Sequence, residues 1–187
     1  MDLTDKRIAV LAELARQYHG DGKARFGNTA AVKMCYFLQN VYGVDLNYRF
    51  SIYTYGPFDQ EILFTKDLAK ARGILDIKYV NGNGDNYGYD IKPATSPKWP
   101  VADLNAKEKI AIKAAVATFS HGDTKDLELW STVCFVYREF GESGDSLPKV
   151  VQRVKQIKPH FSENQIQKAI DFLQTEGVFI KLLTHAA

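Results

Sequence analysis

Between Asp5 and Tyr18 the apolar residues fall at Ile8, Leu11, Ala12, Ala15 and Tyr18, the spacing of one face of an amphipathic helix, and Gly20-Asp21-Gly22 stops it. Asn28-Thr29 caps a second helix that buries Val32, Tyr36, Leu38 or Phe37, and Val41 before Gly43. From Asn47 to Thr54 the pattern changes to period two and becomes β-branched and aromatic, which predicts a strand. Pro57 suits the first turn of a helix and opens one over Pro57–Arg72, with Asp59 and Glu61 at its positive end and Lys66, Lys70 and Arg72 toward its negative end. Gly73 ends that helix. Ile74–Val80 then starts a hairpin that returns through Tyr87–Ile91 across a polar, glycine-rich tip, Asn81–Asn86.

Helices followed by a hairpin in this order form a winged helix-turn-helix, over residues 1–94. Lys92–Pro100 holds three prolines and no periodicity, so residues 95–103 read as a stiff connector. Residues 104–187 read as a helical domain, with helices at Ala106–Thr118, Thr124–Phe140, Leu147–Ile157 and Ser162–Glu176, the last stopping at Gly177. Asn105 and Glu108 fit a cap with an acidic first turn, and Ser162 with Gln165 fits the capping box. The expected class is α+β, mainly helical.

Composition narrows the function. The 187 residues suit one domain or two small ones, with 45% apolar and 25% charged residues, as in ordinary globular chains. Basic residues number 24 and acidic 22, and each half carries one net positive charge, so no bulk basic signature for nucleic acid exists. No apolar run reaches the ~18 residues of a membrane span. The acidic start, Met1 to Lys6, lacks the apolar stretch of a signal peptide, and Cys35 and Cys134 sit among apolar residues as buried thiols. A cytoplasmic protein is expected.

The candidate chemistry is correspondingly sparse. His19, His121, His160 and His185 are scattered without ligand spacing, so no metal is expected. No nucleophile–base arrangement, phosphate loop or dinucleotide fingerprint appears, so neither catalysis nor a cofactor is expected. In a winged helix the helix before the wing docks in the major groove. Gln60 would then read a base edge, and Lys66, Lys70 and Arg72 would meet phosphates, with Lys149, Arg153 and Lys155 as a second basic face. Against this stand two carboxylates at the helix start and a wing tip without a base, the pattern of a solvated helix and turn. Alternation puts Tyr48, Phe50 and Ile52 on one strand face and Arg49, Ser51 and Tyr53 on the other. Tyr48, Tyr53 and Tyr55 are core residues or, if exposed, a protein interface.

Lys33 with Tyr36–Gln39, Gly43-Val44 with Leu46 and Tyr48–Phe50, and the turn Tyr53-x-Tyr55-Gly56-Pro57-Phe58 together resemble the YwgA-like proteins, predicted winged-helix regulators. Leu127–Leu129 with Thr132, Lys158–Ser162, and Ala169, Leu173 and Gly177 are similar to the same pattern. More distantly, the lysine–tyrosine helix and Tyr-Gly-Pro turn resemble the Panacea-type antitoxin domain. The first resemblance implies a regulator that binds double-stranded DNA as a homodimer. The second implies a module that neutralises a toxin by protein contact. Neither implies catalytic residues.

Overall fold

The computed structural model describes residues 2–20, 25–80, 88–140 and 146–185. The expected wing tip, Asn81–Asn86, and the stop at Asp21-Gly22 lie outside them. The fold is α+β and mostly helical. Its first half contains α1 (Leu3–Gly20), α2 (Asn28–Asn40), β1 (Ser51–Tyr53), β2 (Gly56–Phe58), α3 (Glu61–Ala71), β3 (Leu75–Val80) and β4 (Gly88–Pro93). The second half adds α4 (Ala106–Phe119), α5 (Thr124–Phe140), α6 (Ser146–Ile157), α7 (Glu163–Thr175) and α8 (Val178–Thr184). Each strand pair is an antiparallel two-stranded sheet, β1 with β2 and β3 with β4.

α2 is buried nearly all round, from Ala30 through Leu38, because α1 and α3 cover it from one half and α4 and α5 from the other. One hydrophobic cluster therefore runs through both halves of the chain, with Phe37 stacked on Phe119 at 3.7 Å across the join. The sequence signals at the helix ends hold where side chains make the cap. Asn105 and Glu108 form a reciprocal capping box on α4, and Ser162 and Gln165 form another on α7.

One cap and three elements differ from the sequence expectation; the cap position of α2 is Gly27, not Asn28-Thr29, and no side chain bonds there. The strand expected over Asn47–Thr54 shrinks to Ser51–Tyr53, because side chains hold the backbone before it. Arg7 donates to the Leu46 and Asn47 carbonyls at 2.8 and 2.7 Å, and the Gln39 amide both donates to Tyr48 O and accepts from Tyr48 N. The helix expected from Pro57 starts instead at Glu61. Gly56–Phe58 pairs with β1, and Asp59 accepts the Glu61 N–H at 2.9 Å to start the helix. Finally, α7 stops before Gly177 as expected, but Gly177 is followed by a further helix. Gly177 adopts φ 63° and leads into α8, whose Val178, Phe179 and Leu182 are buried.

The β1–β2 turn is seated on α5 through Gly56. This residue has φ +84°, and a Cβ there would lie 2.7 Å from Thr132 Oγ1 and 3.2 Å from the Glu128 carbonyl. Left-handed strain and the steric conflict should add, so Gly56→Ala is expected to lower stability by roughly 2–4 kcal/mol in urea unfolding. Gly177→Ala has the same strain with nothing within 4 Å, and should cost only about 1 kcal/mol. Equal losses at the two positions would show that the turn is not seated this way.

Candidate functional site

A two-residue turn with three-residue strands has no stability of its own in water. Here side-chain ammonium groups hold it. Lys33, on α2, donates to the Pro57 carbonyl at 2.7 Å. Lys158, just past α6, donates to the Tyr53 carbonyl at 3.4 Å and to the Thr54 carbonyl. Both lysines are 2% exposed, and Glu128 on α5 is 5% exposed. Glu128 Oε1 lies 2.7 Å from Lys158 Nζ and 3.7 Å from His160 Nε2, so it meets Lys158 as an ion pair. Thr132 and Ser131 turn their hydroxyls onto the Glu128 carbonyl in the same wall.

Two ammonium groups around one carboxylate leave excess positive charge in a buried space. Burial is the main cause that pushes the Lys33 pKa down, to about 7. Glu128 opposes the shift, and the neighbouring Lys158 adds to it. A neutral amine still donates to Pro57 O, so the turn keeps its tether in either state.

The tethered turn presents Tyr53 and Tyr55 outward, 65% and 63% exposed. Tyr48 is not part of that surface. It is buried under the Arg7 guanidinium at 4.2 Å, because it lies on the inward face of the alternation. The expected DNA-reading helix is also rearranged. Lys66 is buried, donating to Asn28 Oδ1 at 3.1 Å, 3.3 Å from Asp67, and 5.0 Å from the centre of the Tyr89 ring. That makes it an internal structural donor. Arg72 pairs with Asp5 at 2.6 Å. Lys70 and Gln60 remain exposed. The outward stripe of α3 is thus Gln60, Phe64, Asp67 and Ala71, with Phe64 63% exposed at its centre.

On α6, Lys149 and Arg153 are exposed, whereas Lys155 closes the α6–α7 turn by donating to the Pro159 and Phe161 carbonyls at 2.9 and 2.7 Å. Sequence reasoning assigned no role to Lys33, Glu128 or Phe64. The signal for the first two was a charged residue inside an apolar run, Val32–Leu38 and Leu127–Trp130. Among the described residues no group of His, Cys, Asp and Glu is placed to hold a metal ion, and no helix is long and apolar enough to cross a membrane.

No family model, curated protein or solved structure matches the chain. The geometry alone shows that Lys33, the Tyr53–Phe58 turn, Leu127–Thr132 and Lys158–Ser162, distant in sequence, meet in one place.

Replacing Glu128 with Gln keeps the shape but leaves Lys158 buried without its anion. A loss of roughly 3 kcal/mol in chemical denaturation is expected. Lys158→Met should then cost less on the Glu128→Gln background than in the wild type, and strict additivity would argue against the pair. A second prediction concerns pH. A lysine in water titrates near 10.5, so between about pH 7 and 10.5 the unfolded chain holds a proton on Lys33 that the folded chain has released. Stability therefore rises with pH in this window, by at most about 1.4 kcal/mol per pH unit for one proton. Burial raises the Cys35 and Cys134 thiols, which act in the opposite sense above about pH 9. The difference between wild type and Lys33→Met cancels them. That difference should move in favour of the wild type from pH 7 to pH 9, and a flat difference would contradict a depressed Lys33.

Proposed function

We propose that this protein is a protein-interaction module on a winged-helix scaffold, whose contact surface combines the Tyr53–Tyr55 turn with the outer face of α3. The scaffold reading rests on order and pairing. α1, α2 and α3 precede the β3–β4 hairpin, and the short segment between α1 and α2 joins the hairpin where Ile91 N–H donates to the Phe26 carbonyl at 2.9 Å. That order is consistent with three helices and a wing, a scaffold that in its DNA-binding examples places the last helix in the major groove.

The observation that carries the choice of partner is the face of α3. A groove-reading helix needs cations or amides at its outward positions, and phosphate contacts supply most of the affinity. Here the outward stripe offers Gln60, Phe64 and Asp67, Lys70 alone remains an exposed base on this helix, and Lys66 and Arg72 are engaged. Exposed Phe64, Tyr53 and Tyr55 are instead the residue types that anchor protein interfaces. The second resemblance, to antitoxin domains that act by protein contact, agrees with this reading. The DNA-binding regulator is the rival. Exposed Gln60 and Lys70 on α3 and exposed Lys149 and Arg153 on α6 are its remaining support.

Two measurements separate them. Fluorescence anisotropy with duplex from the protein's own promoter is expected to give only weak, sequence-indifferent binding, in the roughly 10⁻⁴–10⁻⁶ M range. Affinity purification is expected to retain a stoichiometric protein partner that is lost with Phe64→Glu or Tyr55→Asp and kept with Lys70→Ala. Sub-micromolar binding to that duplex, falling steeply with salt and weakened by Lys70→Ala, would overturn the proposal in favour of the regulator.

A further inference from the structure

A second feature lies away from the turn. The helices α2 and α5, the chain between α2 and β1, and the end of α8 together line a cleft of about 780 Å³. Its apolar part is aromatic: Tyr36 from α2, Tyr48 and Phe50 from the following segment, and Phe135 from α5. Phe50 stands edge-on to Tyr36 at 5.1 Å, and Phe50 and Phe135 are only half-buried. A planar ring entering such a cleft would meet the half-buried Phe50 and Phe135 first.

The polar part is asymmetric. Gln39 is committed at both ends to the Tyr48 backbone, and Asn40 donates to the Tyr36 carbonyl while accepting from Arg138. Besides Asn47, Tyr48 and His185, the lining holds two further sources of hydrogen-bond donors. Arg138 has guanidinium N–H groups beyond the one given to Asn40, and it forms no ion pair among the described residues. Tyr36, only 1% exposed, has a hydroxyl without any partner among the described residues. Burial holds the Tyr36 phenol well above its usual range, so it keeps its proton, and the nearby Arg138 charge only partly opposes this. His185, at the end of α8, also lines the cleft. The carboxylate in the lining, Asp45, sits on the exposed rim. Unused donors beside an aromatic wall call for a ligand that brings acceptors and a flat ring.

We infer that this cleft is a binding site for a small planar aromatic carboxylate, with the ring between the aromatic walls and the carboxylate on Arg138. Nothing in this inference depends on which macromolecule the Tyr53–Tyr55 surface meets, so the two can fail separately.

The test uses the full chain and two probes of one shape, 1-naphthoate and its uncharged amide, titrated by calorimetry with ligand-observed NMR. The naphthoate is expected to bind saturably at one site, about tenfold tighter than the amide, as a charge-assisted pair on Arg138 implies. Arg138→Gln should remove that preference, whereas Lys149→Gln, Arg153→Gln and Asp45→Asn should keep it. Overturning results are an absence of saturable binding, equal affinity for the two probes in the wild type, or an undiminished preference in a folded Arg138→Gln protein. The wild-type comparison of probes stands even where a variant fails to fold.

Discussion

Two lysine side chains, Lys33 and Lys158, reach into the interior of this protein to hydrogen-bond the carbonyls of a hairpin too short to be stable alone. Moving an ammonium group out of water costs several kcal/mol even after relaxation, and one carboxylate, Glu128, serves the pair. An apolar plug of the same volume would fill that space at lower cost. It would not tether three parts of a turn, at Tyr53, Thr54 and Pro57, to helices from both halves of the chain. The ionic cluster is thus a device of position: it decides where the turn sits, and through the turn it sets the direction in which β2 hands the chain on to α3.

The rest of the candidate surface follows from that placement. With the Tyr53, Thr54 and Pro57 carbonyls drawn inward, the Tyr53 and Tyr55 rings have no way to reach the core and stand in solvent. Gly56 is required because any side chain would strike Thr132. Beyond the turn, Asp59 accepts both the Arg49 and the Glu61 N–H groups, which fixes the start of α3 relative to β1. A partner that bridges the turn and α3 therefore meets a rigid pair of elements, and the ordering entropy it must overcome is small.

The sequence shows the helices well because each has a local cause: an apolar stripe for α1, and reciprocal caps for α4 and α7. It misleads at Pro57 because proline at a helix start and proline in a short edge strand have the same local chemistry. Only the pairing of Ile52 with Pro57 decides between them. It misleads at Lys66 for a related reason. A lysine on a helix can meet solvent or, as here, the side chain of Asn28 at the start of a different helix, and that choice is a tertiary fact. Tyr48 is legible in one of its two readings, since period-two alternation places it inside. The aromatic cleft is not legible at all, because its walls come from α2, α5 and the segment between Gly43 and Phe50, with no spacing in common.

Several bases of this chain serve its own backbone rather than its surface. Arg7 serves the Leu46 and Asn47 carbonyls, Lys33 and Lys158 serve the turn, and Lys155 serves the turn between α6 and α7. These bases act as long-range caps for backbone that has no strand or helix partner, a duty that buried carbonyls impose wherever loops cross a core. Each base so used is withdrawn from the field that would steer a polyanion. A part of the chain's positive charge is thus tied to its own carbonyls. At α3 the same use of bases is seen in Lys66 and Arg72, held by Asn28 and Asp5, which leaves Lys70 beside the exposed Phe64 ring.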